Sequence, residues 1–317
     1  MQASRTHSPR MFGALAAITA FLAFGLIVLG AVVRVTGSGL GCGDDWPLCN
    51  GMIFPPLDDL TAWIEWSHRL VAMSIGVFGI GMLVTVFRSN RLVVGATVAA
   101  ALLYAVQSGI GRSVVKADLS PTLVAFHLGT AMLLLGMLLV AAVAGRYTPA
   151  QRYPRDTVTS LVYISAAFAL IVILLGAVVR GAGAVLACGD WPLCNGDIVP
   201  FGQGQLATVN MIHRYAVLVL GILLAALLWQ VERSRRGTGV CWLARWAFIV
   251  YLAQAAVGAV YVFSQAGAFW GALHVALAAA TWSLLVILSV MEMLNTREVF
   301  QEQTETEWKP QSETVPQ

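Results

Sequence analysis

The chain has 317 residues, 58% of them hydrophobic and only 11% charged, with a mean hydropathy of +0.78 and a formal net charge of +3. A soluble domain carries roughly 25% charged residues, so the composition excludes a soluble enzyme and points to an integral membrane protein. The small positive excess is a matter of topology, as shown below, and gives no reason to expect a nucleic-acid partner.

In chain order, apolar runs long enough to cross a bilayer, roughly 17–25 residues each, fall near 12–34, 62–87, 92–111, 121–145, 158–180, 206–231, 244–264 and 268–291. They predict an all-α integral membrane protein with eight transmembrane helices. The first run follows Arg5 and Arg10, as a signal peptide would. It is too long for one and has no small-residue cleavage site before Arg34, so it reads as a retained span. Residues 1–11 are the N-terminal segment, 146–157 an arginine-rich linker, and 295–317 a polar tail expected to be disordered.

With the N-terminus in the cytoplasm, that side collects Arg5, Arg10, Arg88, Arg91, Arg146, Arg152, Arg155, Arg233, Arg235, Arg236, Arg245, Arg297 and Lys309. The opposite loops hold Arg112 and Lys116 among many aspartates. The positive-inside rule then places both termini in the cytoplasm and the cysteine-bearing loops outside the cell membrane.

The sequence repeats itself. GAVVR at 30–34 recurs at 176–180, WPLCNG at 46–51 recurs at 191–196, and EWSHR at 65–69 aligns with NMIHR at 210–214. Gln107, Gly111 and His127 match Gln254, Gly258 and His274. Four spans restore the starting side, so the repeat is parallel. The expected architecture is two tandem pseudo-symmetric four-helix bundles, 12–145 and 158–294.

Of five histidines, His7 lies in the N-terminal segment. His68, His127, His213 and His274 sit in the even-numbered spans, all about 10 Å from the outer end at 1.5 Å per residue. Ionisable groups at such depth are costly and usually functional. A lone imidazole often just bonds a neighbouring helix, but four at one depth on corresponding helices suit two haem sites, one per half. Zinc fits less well, because each half offers only two histidines at this level. Arg34 and Arg180 end the first helix of each half, and Arg69 and Arg214 directly follow a histidine. All four are candidates to pair with haem propionates, although Arg34 and Arg180 equally suit snorkelling to the headgroups.

The halves differ at one telling place. Glu65 sits one turn before His68, on the same helix face, and its counterpart is Asn210. A carboxyl group can exchange protons and an amide cannot, which assigns chemistry to the first half and an electron-relay haem to the second. A pairing of Glu65 with Arg69 is the structural alternative, and the two roles are compatible. The cysteines Cys42 and Cys49, and Cys188 and Cys194, lie where disulfides persist. Disulfide-closed lids, Cys42–Cys49 and Cys188–Cys194, are the simplest interpretation, and a redox-active first pair stays open. Cys241 is a small buried residue.

The Glu65, His68 and Arg69 stretch, the partner His127, the second set His213 and His274, and the paired WPLCNG loops resemble the cysteine-containing branch of the bacterial haem A synthase family. The likeness covers nearly the whole chain. It implies an oxidoreductase that converts the C8 methyl of haem O to a formyl group through a hydroxymethyl, making haem A for terminal oxidases. On that resemblance His68 and His127 flank the substrate haem O, His213 and His274 ligate a resident haem b, and Glu65 is the essential carboxylate. Water is the favoured oxygen source. Haem O synthase (protohaem farnesyltransferase) is the expected partner, and the electron acceptor is open. The rivals are a dihaem membrane electron-transfer cytochrome and a haem transport or handling protein.

Overall fold

A computed structural model describes residues 8–45, 47–149, 152–234 and 236–297. Among them, eight helices are long and apolar enough to cross a membrane. They are α1 (Ser8–Val35), α2 (Leu60–Thr85), α3 (Arg91–Lys116), α4 (Pro121–Ala144), α5 (Thr157–Gly181), α6 (Gln205–Arg233), α7 (Thr238–Phe263) and α8 (Ala268–Asn295). The protein is an all-α integral membrane protein. Most of the polar tail expected at 295–317, from 298 onward, lies outside the described residues, as does 1–7.

Three of the helices, α2, α3 and α5, start where a side chain satisfies their first free amides. Asp59 accepts from the Ala62 N–H, Asn90 from the Val93 N–H, and Asp156 forms a capping box at α5. Pro121 opens α4, where its missing N–H costs nothing. Two helices outrun the apolar stretches that marked them, for α3 continues to Lys116 and α7 starts at Thr238. Helical hydrogen bonding simply extends past the apolar run into the polar headgroup zone.

In the first half α1 packs on α2 and α4, and α3 on α4. In the second, α5 packs on α6 and α8, and α7 on α6 and α8. The halves meet where α1 lies on α8 and where α4 lies on α5 and α8. Close side-chain packing and hydrogen bonds drive such contacts in lipid. Met132, Leu135, Leu285 and Leu288 are fully buried there, and the Trp282 indole N–H crosses from α8 to the Met132 carbonyl at 3.1 Å.

At the arginine-rich end, a buried charge cluster ties the linker to the second half. Arg236 bonds Glu292 at 2.7 Å and Asp156 at 2.8 Å, while the Thr159 hydroxyl donates to Glu292 at 2.8 Å. Arg236, counted from sequence as a topological cation, is therefore a buried structural one. Beside the cluster, β1 (Tyr153–Pro154) pairs in parallel with β2 (Thr296–Arg297), and Tyr147 donates to Asn295 at 2.9 Å.

Candidate functional site

The four intramembrane histidines lie six or eight residues inside their helices, counted from the cysteine-loop end. At 1.5 Å per residue that is about 9–12 Å of depth. His68 lies within electrostatic range of His127, and His213 of His274. The structure thus gathers them as two pairs, one between α2 and α4 and one between α6 and α8.

Each imidazole rests on a glycine of the preceding helix. A methyl built on Gly30 would come within 3.2 Å of the His68 ring, and one on Gly111 within 3.1 Å of His127. On Gly176 it would reach His213 at 3.2 Å, and on Gly258 it would reach His274 at 3.0 Å. These glycines explain why GAVVR is written twice and why Gly111 and Gly258 match. They leave just enough room for a ring and so fix its direction.

Neighbouring side chains finish the seats. The Tyr104 hydroxyl donates to Ala72 O at 3.0 Å, and Tyr251 donates to Val217 O at 2.7 Å. In the second half, His274 Nδ1 lies 3.1 Å from the Gln254 carbonyl, which selects the tautomer with Nε2 free to bind a metal. In the first half, the Gln107 amide donates to the His127 carbonyl at 3.0 Å and stands 3.4 Å from His127 Nε2. Thr130 holds the Gln107 oxygen in turn.

Two cysteine lids close over these pairs. Cys42–Cys49 and Cys188–Cys194 are disulfides, and each lid turns at an Asn-Gly pair with positive φ, Asn50-Gly51 and Asn195-Gly196. The arginine after each histidine fastens its lid. Arg69 donates to the Asp45 carbonyl at 2.7 Å and the Leu48 carbonyl at 2.6 Å. Arg214 donates to the carbonyls of Asp190, Cys188 and Leu193. The forks that the sequence offered to propionates are occupied by loop backbone.

Arg34 and Arg180 are placed differently from each other. Arg34 is half-buried, four residues after Gly30 on the same face of α1, and its Nε is buried without a hydrogen-bond partner among the described residues. Arg180 is exposed.

The lids also diverge at their attachment to the carboxamide and carboxylate positions. Glu65 is buried, with Oε2 accepting from the Cys42 N–H at 2.9 Å and Oε1 from Arg69 at 2.5 Å. Asn210 instead donates to the carbonyls of Ala184 at 2.7 Å and Val185 at 3.2 Å, and accepts from Arg214 at 2.8 Å. Gly41, aligned with Ala187, makes the first arrangement possible. A methyl on Gly41 would lie 2.5–2.6 Å from the α2 backbone at Thr61 and Ala62, so only glycine lets the lid press this close. Sequence reading noted neither residue, although GCGDD against ACGD displays the difference.

The donor set fits a haem in each half. Paired imidazoles on oriented seats would supply iron ligands, and the buried Arg34 Nε and His127 Nδ1 of the first half, like His213 Nδ1 of the second, have no hydrogen-bond partner among the described residues. In the second, a small, largely apolar cavity of about 20 Å³ lies beside His274, lined by Val172, Val217, Tyr251 and Thr281 among others. Among the described residues no cluster of three or more His, Cys, Asp or Glu offers a site for a bare metal ion.

A family model described as COX15-CtaA, cytochrome oxidase assembly protein, matches residues 13–286. A protein named "Heme A synthase" from Alkalihalophilus pseudofirmus is 32% identical over 283 residues, covering 86% of this chain and 94% of its own length. Relatives of the same name from Shouchella clausii and Symbiobacterium thermophilum are 31% and 29% identical, over 86% of this chain and 93% and 92% of theirs.

Proposed function

Because the chain belongs to the COX15-CtaA family of cytochrome oxidase assembly proteins, in company with bacterial haem A synthases, we propose that it makes haem A by oxidising the C8 methyl of haem O to a formyl group. The reaction passes through a hydroxymethyl. Methyl plus one water gives formyl, four protons and four electrons. The observation that carries this reading is Glu65, a buried carboxylate one turn from a paired histidine, with no counterpart in the second half.

In this reading the substrate lies between His68 and His127, and the half-buried Arg34, whose Nε has no hydrogen-bond partner among the described residues, is a cation open to a propionate. Glu65 has both oxygens held by donors, so its position is fixed before substrate arrives. It stabilises positive charge developing at the methyl carbon and steers the proton leaving the attacking water. Gln107 covers His127 until substrate displaces it, which suits a site whose occupant comes and goes.

His213 and His274 would hold haem b, which supplies one-electron redox chemistry when bound. The contact of His274 Nδ1 with the Gln254 carbonyl orients the ring, which suits a resident group. We place both termini in the cytoplasm of a bacterial cell and the cysteine lids outside, on the distribution of arginine. Haem O synthase is the supplier this chemistry requires.

Co-expression with a haem O synthase, followed by haem extraction and chromatography, tests the proposal. Hydroxylated haem and haem A are the expected products. Unchanged haem O with intact b-type absorption would instead favour a carrier or an electron-transfer cytochrome.

A further inference from the structure

We propose that a groove between α1, α4 and α8 at the arginine-rich end binds one anionic phospholipid, with its phosphate on Arg146 and an acyl chain inside. The groove has a volume of about 600 Å³ and is walled by Ala17, Phe21 and Phe24 of α1, Leu135 and Leu139 of α4, and Ile287 of α8. Phe21 is 74% exposed, so the groove opens on the face that meets lipid.

Its dimensions suit a single chain. Along α4 it extends from Leu135 to Arg146, about 16 Å at 1.5 Å per residue. That is close to half of the ~30 Å hydrocarbon core, which is one leaflet. Its polar groups are nearly all committed elsewhere. The Ser283 hydroxyl donates to the Ala279 carbonyl and the Tyr147 hydroxyl to Asn295, leaving the Arg146 guanidinium with no ion pair among the described residues. One unpaired cation at the polar end of an apolar trough matches an anionic headgroup and its tail. A quinone or isoprenoid would have no use for the charge.

The cation is also held in place. The Arg146 side chain lies across Gly13 of α1, where a methyl would come within 2.6 Å of its Nε. Arg10, three residues before Gly13, shares that face of α1. With α1 and α4 from the first half and α8 from the second, the lipid would caulk the seam between halves. By the distribution of arginine this is the cytoplasmic leaflet, where anionic lipid attracts basic residues.

Native mass spectrometry on the full chain, released from nanodiscs of phosphatidylglycerol or of phosphatidylcholine, tests the site. The expected result is one retained lipid per chain, with phosphatidylglycerol favoured about fivefold, the selectivity of one arginine near an anionic surface. Arg146→Gln removes the preference while an acyl chain is still retained, and Ala142→Phe, which fills the groove, removes retention altogether. Monodisperse elution and unchanged helical circular dichroism show that each variant is folded. Absence of retained lipid in the wild type, equal retention of both lipids, an unchanged preference in Arg146→Gln, or a quinone or porphyrin in place of phospholipid would each overturn it.

Discussion

The first and second halves seat their histidines on glycines in the same manner, yet they attach their lids to the helices below by different chemistry. In the first, Gly41 lets the lid lie against α2, so the Cys42 N–H reaches Glu65 and Arg69 completes the grip. In the second, Ala187 stands where Gly41 would be, and Asn210 turns its amide toward Ala184 and Val185. A neutral amide satisfies a buried lid with ordinary hydrogen bonds. The first half gives its carboxyl group a backbone donor, the Cys42 N–H, as well as Arg69, whereas in the second Arg214 meets an amide. The difference teaches that one half places a carboxyl group beside its histidine and the other a neutral amide.

Breaking that difference should give the largest effect. Glu65→Gln keeps the shape but removes the charge, and haem A formation should fall by at least about 100-fold, the scale of losing one electrostatic stabiliser. Asn210→Ala removes bonds from a buried lid and should cost about 1–3 kcal/mol of stability, with turnover per folded molecule nearly unchanged. Product chromatography normalised to folded protein separates the two. Full haem A production by Glu65→Gln would sink the assignment. The histidines divide the halves just as sharply. His274→Ala should abolish b-type absorption, while His127→Ala should leave that absorption intact and stop product formation.

Smaller changes sharpen the comparison at the lids and seats. Gly41→Ala forces the lid off α2 and takes the Cys42 N–H from Glu65, so kcat should drop about tenfold, the lower end for an outer-shell positioning contact. KM should hold and the b-type spectrum should not change, whereas Ala187→Gly should be silent. An equal loss in both variants would show that lid contact alone matters. Gly258→Ala crowds the His274 ring and should weaken retention of haem b about tenfold with a shifted absorption band. Gly111→Ala should act on substrate binding and leave that band alone.

Much of this was legible in the sequence because membrane physics writes plainly. Eight spans follow from apolar length, four histidines stand out against an apolar background, and Glu65 against Asn210 is visible once the repeats are aligned. The use of Arg69 and Arg214 was not legible. A cation beside a histidine has many directions open to it, and only the folded lid shows that its fork meets backbone carbonyls. Gly41 differs from Ala187 in plain sight, but its meaning depends on a backbone approach that no spacing encodes. Glu292 stands directly after the last apolar run and falls inside the helix only because α8 continues to Asn295, and its partner Arg236 was concealed among arginines that looked merely topological.

The smallest predicted effect concerns acid and separates the lids once more. In the second lid the Asp190 carboxylate accepts from the Asn195 N–H at 2.5 Å and the Gly196 N–H at 2.8 Å, so it clamps the Asn-Gly turn. The Gly196 N–H first, and the Asn195 N–H after it, hold this carboxyl below its ordinary value of 3.8. A carboxylate depressed in the folded state contributes its full stabilisation above the unfolded value and loses it as pH falls through the folded one. The second turn should therefore keep its clamp at neutral pH and release it only below about pH 4. The first lid lacks that dependence at the same turn, because the Asn50 N–H donates to the Cys42 carbonyl, which does not titrate. Amide hydrogen exchange compared at neutral and acid pH, corrected for intrinsic rates, should show Asn195 and Gly196 losing protection relative to Asn50. Asp190→Asn should lower their protection at neutral pH and erase its dependence on acid, and an unchanged acid response in that variant would place the titrating group elsewhere.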